Sequence, residues 1–304
     1  MGRNGERIGK RHRGDTAAGG AGDWLAVSYW IKQKEAPLLA KVHSSAKPPS
    51  TSATIQEPIH PLHLKDRIMN SFSIKHPLLF GAILFFAAIL VAGFITAAMG
   101  IVGIPSEAGI ALSRIIVALG LVVLFRSCFT WKHSFSSLPL TLPALVIIAW
   151  NIIYHLMAGS EFVAPSAFVG SAILALAPGL FEEVLFRGIV TDRLRKSGKT
   201  ATFTLWASTL LFAGAHLTNI AGMDLASVLV QVGYSLVVGL VLGAIYLKNN
   251  DIASVILAHT AIDFSNQIFA TQPTESSVPM IVAFAAVLVV EGGYALWLSR
   301  EQYE

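Results

Sequence analysis

Hydrophobic residues dominate the chain from residue 77 onward, where they form long runs separated by short polar segments. Each run has about 17 to 23 residues, the length that a tilted helix needs to cross a bilayer. The runs lack the alternation of apolar and polar residues that is typical of a membrane β-barrel, so they predict helices. We therefore predict an all-α, polytopic transmembrane helical bundle with about eight spans, at residues 78–100, 108–126, 140–158, 167–187, 202–218, 225–247, 252–270 and 278–298.

Residues 1–75 follow a different pattern, with no long apolar run and many Ser, Pro, Gly, Lys and Arg residues. This composition predicts a basic, disordered N-terminal tail, followed by a transmembrane domain at residues 76–300. The tail lacks the apolar core of a cleaved signal peptide, whereas a transit peptide is an alternative. Met69 opens the sequence MNSFSIKHP directly before the first apolar run. Met69 is therefore an alternative first residue of the functional chain. In that case the first 68 residues are an artefact of an upstream start assignment.

Composition supports the membrane interpretation and excludes several classes of protein. Hydrophobic residues make up 54% of the 304 residues and charged residues only 13%, whereas soluble domains have about 25% charged residues. This shortage of charge excludes an ordinary soluble enzyme, a wholly disordered chain and a nucleic-acid-binding domain. The single cysteine, Cys128, excludes a disulfide framework and a cysteine zinc cluster.

Lysine and arginine residues are distributed unevenly among the segments between the runs. With the N-terminus in the cytoplasm, every Lys and Arg except Arg114 lies at or next to a cytoplasmic segment, and Arg114 is expected near an outer helix end. This asymmetry follows the positive-inside rule, so we predict cytoplasmic N- and C-termini in a multi-pass membrane protein. The compact architecture leads us to expect a bacterial plasma membrane. The opposite loops carry acidic residues instead, at Glu107, Glu161, Asp224 and Glu275.

Three of the runs contain a cluster of ionisable residues. A charge at the centre of a membrane helix costs about 2.5–3.5 kcal/mol, so such residues usually have a function or a partner. The fourth run reads APGLFEEVLFRGIV and contains Glu182, Glu183 and Arg187. Glu183 and Arg187 are four residues apart on one helix face and can form an ion pair. Glu182 lies on a different face of the helix, so its negative charge is less compensated than that of Glu183.

Two further runs contribute histidines. The fifth run contains FAGAH, with Phe212 and His216, and the seventh contains AHTAID, with His259 and Asp263 on one face. Each motif alone is compatible with a structural role in helix packing. Together, two histidines and a spare glutamate can bind Zn²⁺, or can position and deprotonate a water without a metal. Simple counting places Glu182 toward the cytoplasmic end of its helix and His216 toward the outer end. A site that joins them therefore needs a longer or broken fifth helix, or a re-entrant geometry.

The three motifs, in this order, resemble the signature of the CPBP family of intramembrane proteases, the CAAX-processing and bacteriocin-processing proteins also called Abi proteins. The resemblance covers about residues 165–270 and implies an intramembrane peptidase, either a metalloendopeptidase or a glutamate-type protease. It also implies that Glu183 and Arg187 form a supporting pair. The matching positions are Glu182, Glu183, Arg187, Phe212, His216, His259 and Asp263.

The resemblance implies a role for each residue of the site. Glu182 would be the general base that activates a water, and His216 would hold that water or a metal. His259 and Asp263 would stabilise the tetrahedral oxyanion. Many family members have Asn at the position of Asp263, and an ionised Asp cannot donate a hydrogen bond. Asp263 is therefore either protonated or orients His259. The resemblance is compatible with Zn²⁺ bound by Glu182, His216 and His259, and equally with a metal-free water.

We therefore expect an intramembrane endopeptidase that acts on membrane-associated or lipidated peptides, with the lipid bilayer and no nucleic acid as a partner. Two alternatives stay open, a catalytically inert immunity or scaffold protein and a proton-coupled transporter, although no inverted repeat supports the transporter. In the sixth run, Gly239 and Gly243 form a GxxxG motif that predicts close helix packing. The sequence offers no partner for Glu291 in the eighth run.

Overall fold

Helices form at each predicted apolar run in the computed structural model, which describes residues 71–131, 134–271 and 278–300. These residues contain no β-strand, apart from an isolated bridge between Phe162 and Phe269. The predicted all-α bundle is confirmed, whereas the predicted tail lies outside the described residues as far as residue 70. The helices are α1 (Pro77–Ile101), α2 (Ser106–Leu124), α3 (Ala144–Met157), α4 (Phe168–Glu182), α5 (Thr191–Lys196), α6 (Ala201–Ala215), α7 (Leu225–Asn249), α8 (Ile252–Gln267) and α9 (Val278–Arg300).

A π-helix at Glu183–Val190 joins α4 to α5, so that one helical segment runs from Pro165 to Lys196. All eight residues of the π-helix are buried, and it contacts α1, α2, α6 and α8. The fourth apolar run is therefore the central element of the bundle. Short π-helical stretches inside α-helices frequently lie at functional sites.

Five of the described helical segments are long and apolar enough to cross a membrane. Helices α3, α6 and α8 have 14, 15 and 16 residues. They are thus about 21 to 24 Å long, shorter than the hydrocarbon core of about 30 Å. The helical membrane bundle is supported, but the count of eight spans stays a prediction. The five long segments are Pro77–Ile101, Ser106–Leu124, Pro165–Lys196, Leu225–Asn249 and Met280–Arg300.

Three segments that the charge pattern places in the cytoplasm meet at one end of the bundle. Asp251, in the loop between α7 and α8, accepts a hydrogen bond of 2.9 Å from the backbone N–H of Ser137, which precedes α3. The Cys128 thiol, after α2, donates a hydrogen bond to Asp192 of α5. Burial and this carboxylate raise the pKa of the Cys128 thiol to about 11, so the thiol stays protonated at neutral pH. The three segments share one side, as the alternation of spans requires.

Gly179 marks a close crossing of α4 and α8. A Cβ atom at this position would lie 2.7 Å from Oγ1 and 3.1 Å from the backbone nitrogen of Thr260. A side chain at residue 179 therefore has to push the two helices apart. The crossing also sets the distance between the acidic residues of the fourth run and the histidine next to Thr260.

We predict that Gly179→Ala lowers the free energy of unfolding by about 1–3 kcal/mol, because the added methyl group overpacks the crossing. Gly170→Ala is the matched control, since Gly170 lies in the same helix and has no atom within 4 Å of the added methyl group. The control substitution should leave the free energy of unfolding unchanged or raise it slightly, because alanine has a higher helix propensity than glycine. Thermal unfolding in detergent micelles compares the two variants. Equal stabilities would contradict a tight crossing.

Candidate active site

A buried carboxyl group, that of Glu183, lies at the centre of the candidate site. Its Oε1 atom lies 3.0 Å from Arg187 Nη1 in an ion pair and accepts a hydrogen bond of 2.8 Å from His259 Nδ1. Arg187 and His259 are also buried. The Glu183–Arg187 pair that the spacing predicts is thus present. It gains a third member, His259, that lies 76 residues further along the chain.

Arg187 has two contacts in addition to the one with Glu183. Its Nη2 atom donates a hydrogen bond of 3.2 Å to the carbonyl oxygen of Gly239, and its guanidinium carbon lies 4.2 Å from the ring centroid of Phe212. A Cβ atom at Gly239 would come within 3.0 Å of Phe212, and one at Gly243 within 2.8 Å of a side chain of α6. The GxxxG motif therefore allows close helix packing, as predicted, and brings a carbonyl group to Arg187.

The hydrogen bond to Glu183 fixes the ring of His259. Its other nitrogen, Nε2, lies 3.9 Å from Glu182 Oε2 and 3.7 Å from Asp263 Oδ2. These separations are too long for direct hydrogen bonds but suit a bridging water. Because Nδ1 is bonded to Glu183, Glu183 orients the imidazole in this structure, and Asp263 lies on the opposite side of the ring.

His216 begins the 3₁₀ turn His216–Ala221 that follows α6. Its Nδ1 atom lies 3.0 Å from the carbonyl oxygen of Phe212. A carbonyl oxygen can only accept, so Nδ1 carries the proton and donates this hydrogen bond. Nε2 of the neutral imidazole then has a free lone pair that can accept a hydrogen bond from a water. The Phe212 ring packs edge-on against both His216 and His259, at centroid distances of 5.2 and 5.9 Å.

Glu182 and His216 lie at matching depth in the bundle, contrary to the mismatch expected from the run boundaries. The helix of the fourth run is longer than the predicted span at residues 167–187, since it continues to Lys196, 14 residues beyond Glu182. His216 lies 15 residues after Ala201, where α6 begins. Both residues are thus about 21 to 23 Å along their helices from the connecting turn. The basic residues near the end of this helix interrupt the apolar run in the sequence, although Arg193 and Leu194 are buried inside the protein.

A cavity of about 300 Å³ is lined by Glu182, His216, His259 and Asp263. The structure thus brings the four residues predicted as catalytic to one cavity. Glu183 and Arg187 do not line it and instead support His259 from behind. The other polar residues of the lining include Arg114, Asn219, Gln231, Tyr234 and Asn266.

Arg114 is a lining residue that the sequence pattern did not identify. The run boundaries place it near an outer helix end, whereas it is the ninth residue of the 19-residue helix α2. It therefore lies about 12 Å from the start of the helix. An arginine this far inside an apolar run was the available signal, because such residues usually face the bundle interior or a water-filled cavity.

The residues predicted as zinc ligands, Glu182, His216 and His259, do not form a metal-binding group in this arrangement. Within the described ranges, no three His, Cys, Asp or Glu side chains are close enough together to hold a metal ion. The hydrogen bond of His259 Nδ1 to Glu183 leaves Nε2 as the nitrogen that could bind a metal, and such a carboxylate partner is usual for a metal-bound histidine. A zinc ion stays a prediction.

The sequence model of the type II CAAX prenyl endopeptidase Rce1-like family matches residues 164–265. This match confirms the CPBP resemblance. The Rce1-like segment contains every motif residue from Glu182 to Asp263, whereas Arg114 and Glu291 lie outside it. No curated protein and no solved structure matches the chain significantly.

Glu291, in α9, lies beyond the Rce1-like segment and does not line the cavity. It is completely buried, and neither of its carboxyl oxygens has a hydrogen-bond partner among the described residues. A buried polar group without a partner costs about 1–3 kcal/mol. Glu291 therefore destabilises the fold.

We predict that Glu291→Leu raises the free energy of unfolding by about 1–3 kcal/mol, because it removes this unpaired carboxyl group. Thermal unfolding in detergent micelles measures the change. Glu291→Gln is the matched control. It keeps buried polar atoms, so it should raise the free energy of unfolding by less than Glu291→Leu does. A leucine variant less stable than the wild type would show that the carboxyl group has a stabilising partner.

Proposed function

We propose that this protein is an intramembrane endopeptidase that hydrolyses a peptide bond with a water activated by Glu182. The observation that carries the proposal is the convergence of Glu182, His216, His259 and Asp263 on one cavity. The match to the Rce1-like family supports intramembrane endopeptidase activity in general. A bundle of apolar helices around the cavity supports a membrane setting for the reaction.

In the first step, a water lies between Glu182 and His216. It donates one hydrogen bond to the Glu182 carboxylate and the other to the free Nε2 lone pair of His216. Glu182 takes the first proton as general base, and the water oxygen attacks the carbonyl carbon of the peptide bond. Glu182 suits this role because Arg187 is paired with the neighbouring acid, Glu183, and not with Glu182.

In the second step, the carbonyl oxygen becomes an oxyanion that needs a hydrogen-bond donor. Protonated His259 supplies the donor from Nε2, while Glu183 holds the ring through Nδ1 and stabilises the positive charge. Asp263, 3.7 Å from Nε2, either keeps His259 protonated or donates a hydrogen bond in its own protonated form. Glu182 then gives its proton to the leaving amine as the carbon–nitrogen bond breaks.

The substrates that suit this site are peptides or proteins that are embedded in the bilayer or attached to it by a lipid. The cavity lies among apolar helices whose outer surfaces expose large hydrophobic side chains, such as Phe86 and Phe94 of α1. A substrate with an apolar or lipidated segment is therefore concentrated where the catalytic groups are. Within this proposal the water is activated by Glu182 without a metal, since no three His, Cys, Asp or Glu side chains of the described residues are grouped closely enough to hold one.

We predict that Glu182→Gln lowers peptide cleavage by about 10²- to 10⁴-fold, the usual contribution of a general base. The wild type and the variant would be expressed in membranes with tagged membrane peptides and lipidated peptides, and products identified by mass spectrometry. Glu161→Gln, in the loop after α3 and away from the cavity, is the matched control and should retain full activity.

Products common to the wild type and to Glu182→Gln, with both proteins folded in the membrane, would contradict the proposed base and favour an inert binding protein. A metal chelator separates the two catalytic types in the same assay. The glutamate-type mechanism predicts that cleavage survives chelation. Loss of cleavage that added Zn²⁺ restores would show that a metal takes part.

A further inference from the structure

A second cavity, of about 360 Å³, lies at the end of the bundle where the basic segments meet. Its lining comes from three elements, namely the loop after α2, helix α5 and the end of α7. None of its residues lines the cavity that contains Glu182. Its volume falls within the usual range of sites for small ligands. The protein therefore has a second candidate binding site, apart from the catalytic one.

Positive charge exceeds negative charge in this cavity. Arg195 and Lys196, at the end of α5, both line it and are both exposed. Asp192 is the acid of the lining, and its Oδ2 atom lies 2.9 Å from Lys196 Nζ and 3.9 Å from Arg193 Nε. The carboxylate is thus compensated within its own helix. Arg195 instead donates a hydrogen bond to a neutral group, the side-chain carbonyl of Asn250, so no described acid pairs with its charge.

The end of α5 does not use these two side chains as helix caps. Basic side chains near a helix C-terminus often satisfy its last carbonyl groups. Here the backbone N–H groups of Ser197, Gly198 and Lys199 donate to the carbonyl oxygens of residues 193–195, at 3.0 to 3.3 Å. The guanidinium and ammonium groups therefore keep donors that neither the helix end nor their side-chain partners use.

Hydroxyl groups add neutral donors to the same cavity. Tyr246 of α7 is only 5% exposed, and its hydroxyl group makes no hydrogen bond with any residue that the structure describes. A buried tyrosine hydroxyl usually has a hydrogen-bond partner. Ser127 and Thr130 also line the cavity, and their hydroxyl groups make no hydrogen bond within the described ranges. Two cations and three such hydroxyl groups form a set of donors that suits an anion with several oxygens.

We propose that this cavity binds a phosphate group, and that the phosphate belongs to the headgroup of an anionic phospholipid. Guanidinium and ammonium groups are the usual partners of phosphate in proteins. A choline headgroup would bring a further positive charge close to Arg195 and Lys196, whereas a glycerol headgroup would not. Basic pockets between transmembrane helices bind anionic headgroups in this way.

The surroundings of the cavity favour a lipid over a soluble phosphate compound. Val123 and Leu124, in the last turn of α2, are 72% and 77% exposed, as is typical of side chains that contact acyl chains. Ser127 follows three residues later, and Thr130 directly precedes Trp131, which is half exposed. Tryptophan is enriched where membrane proteins meet the headgroups. The lining residues after α2 therefore lie at the depth of a headgroup phosphate.

The direct test measures lipid binding to the purified full chain in nonionic detergent micelles by native mass spectrometry. The probes are dioleoyl phosphatidylglycerol and dioleoyl phosphatidylcholine, which have the same acyl chains and differ in the headgroup. We expect phosphatidylglycerol to bind about 10-fold more tightly or better, because only its headgroup has a net negative charge. Equal affinities of the wild type for the two lipids would overturn the proposal.

Substitutions in the lining assign the lipid to this cavity. Arg195→Gln should weaken binding of phosphatidylglycerol by about 10- to 100-fold, because a charge-assisted hydrogen bond is lost. Tyr246→Phe removes only a hydroxyl group and should weaken binding by about 3- to 10-fold. Lys199→Gln is the matched control and should bind as the wild type does, because Lys199 is an exposed cation just after α5 that does not line the cavity.

Thermal unfolding without added lipid shows whether each variant is folded. Tyr246→Phe keeps the test valid if Arg195→Gln fails to fold after losing its contact with Asn250. Wild-type affinity for phosphatidylglycerol in the folded lining variants would show that the lipid binds elsewhere, which contradicts the proposal.

Competition separates a lipid from a soluble phosphate compound. Inorganic phosphate and glycerol 3-phosphate would each be added in about 10-fold molar excess over phosphatidylglycerol. We expect neither to displace the lipid, because neither has acyl chains. Displacement by either compound would overturn the assignment to a lipid. Glu182→Gln should bind the lipid as the wild type does, since Glu182 does not line this cavity, so the outcome is independent of the proposed peptidase activity.

Discussion

The structure depends on the way in which one fully buried carboxyl group, that of Glu183, is compensated. A charge without a partner in the interior of a membrane bundle is strongly destabilising. Arg187, one helical turn away, supplies the opposite charge, and His259 supplies a hydrogen bond from α8. These contacts require α4 and α8 to cross closely, which Gly179 allows, and α7 to bring a carbonyl group to Arg187, which Gly239 allows. The packing of the central helices and the position of the histidine are therefore set by the same group.

The same constraint gives the two adjacent acids, Glu182 and Glu183, different roles. Successive residues of a helix point about 100° apart, so Glu182 and Glu183 have different surroundings. Glu183 faces Arg187 and the core, where it holds His259 in a fixed orientation. Glu182 faces the cavity and stays available for a water. Phe212 packs against the guanidinium group and both imidazoles, so the charged cluster and the cavity share one wall.

The features that the sequence predicts correctly are those that reside within one helix. Hydropathy predicts the helical bundle, and a spacing of four predicts the Glu183–Arg187 pair. The contact of Glu183 with His259 joins residues on different helices, so periodicity carries no information about it, and only the resemblance to a family groups the motifs. Hydropathy also assigns basic residues to water, so the predicted fourth helix is too short, although Arg193 and Leu194 are buried in protein. For the same reason the sequence predicts an interfacial position for Arg114, whereas the residue lines a polar cavity inside the bundle.

A double-mutant cycle between Glu183 and Arg187 tests most directly whether the buried ion pair organises the site. Glu183→Gln, Arg187→Met and the double variant would be unfolded in detergent micelles, with the Glu182–Arg187 pair as the comparison cycle. Each single substitution should lower the free energy of unfolding by about 3–5 kcal/mol, because it leaves the other charge buried alone. The double substitution should lower the free energy of unfolding by clearly less than the sum of the two single losses. The comparison cycle should show a much smaller coupling energy. Losses that add to within about 0.5 kcal/mol would contradict the account, because they would show that the two groups are energetically independent.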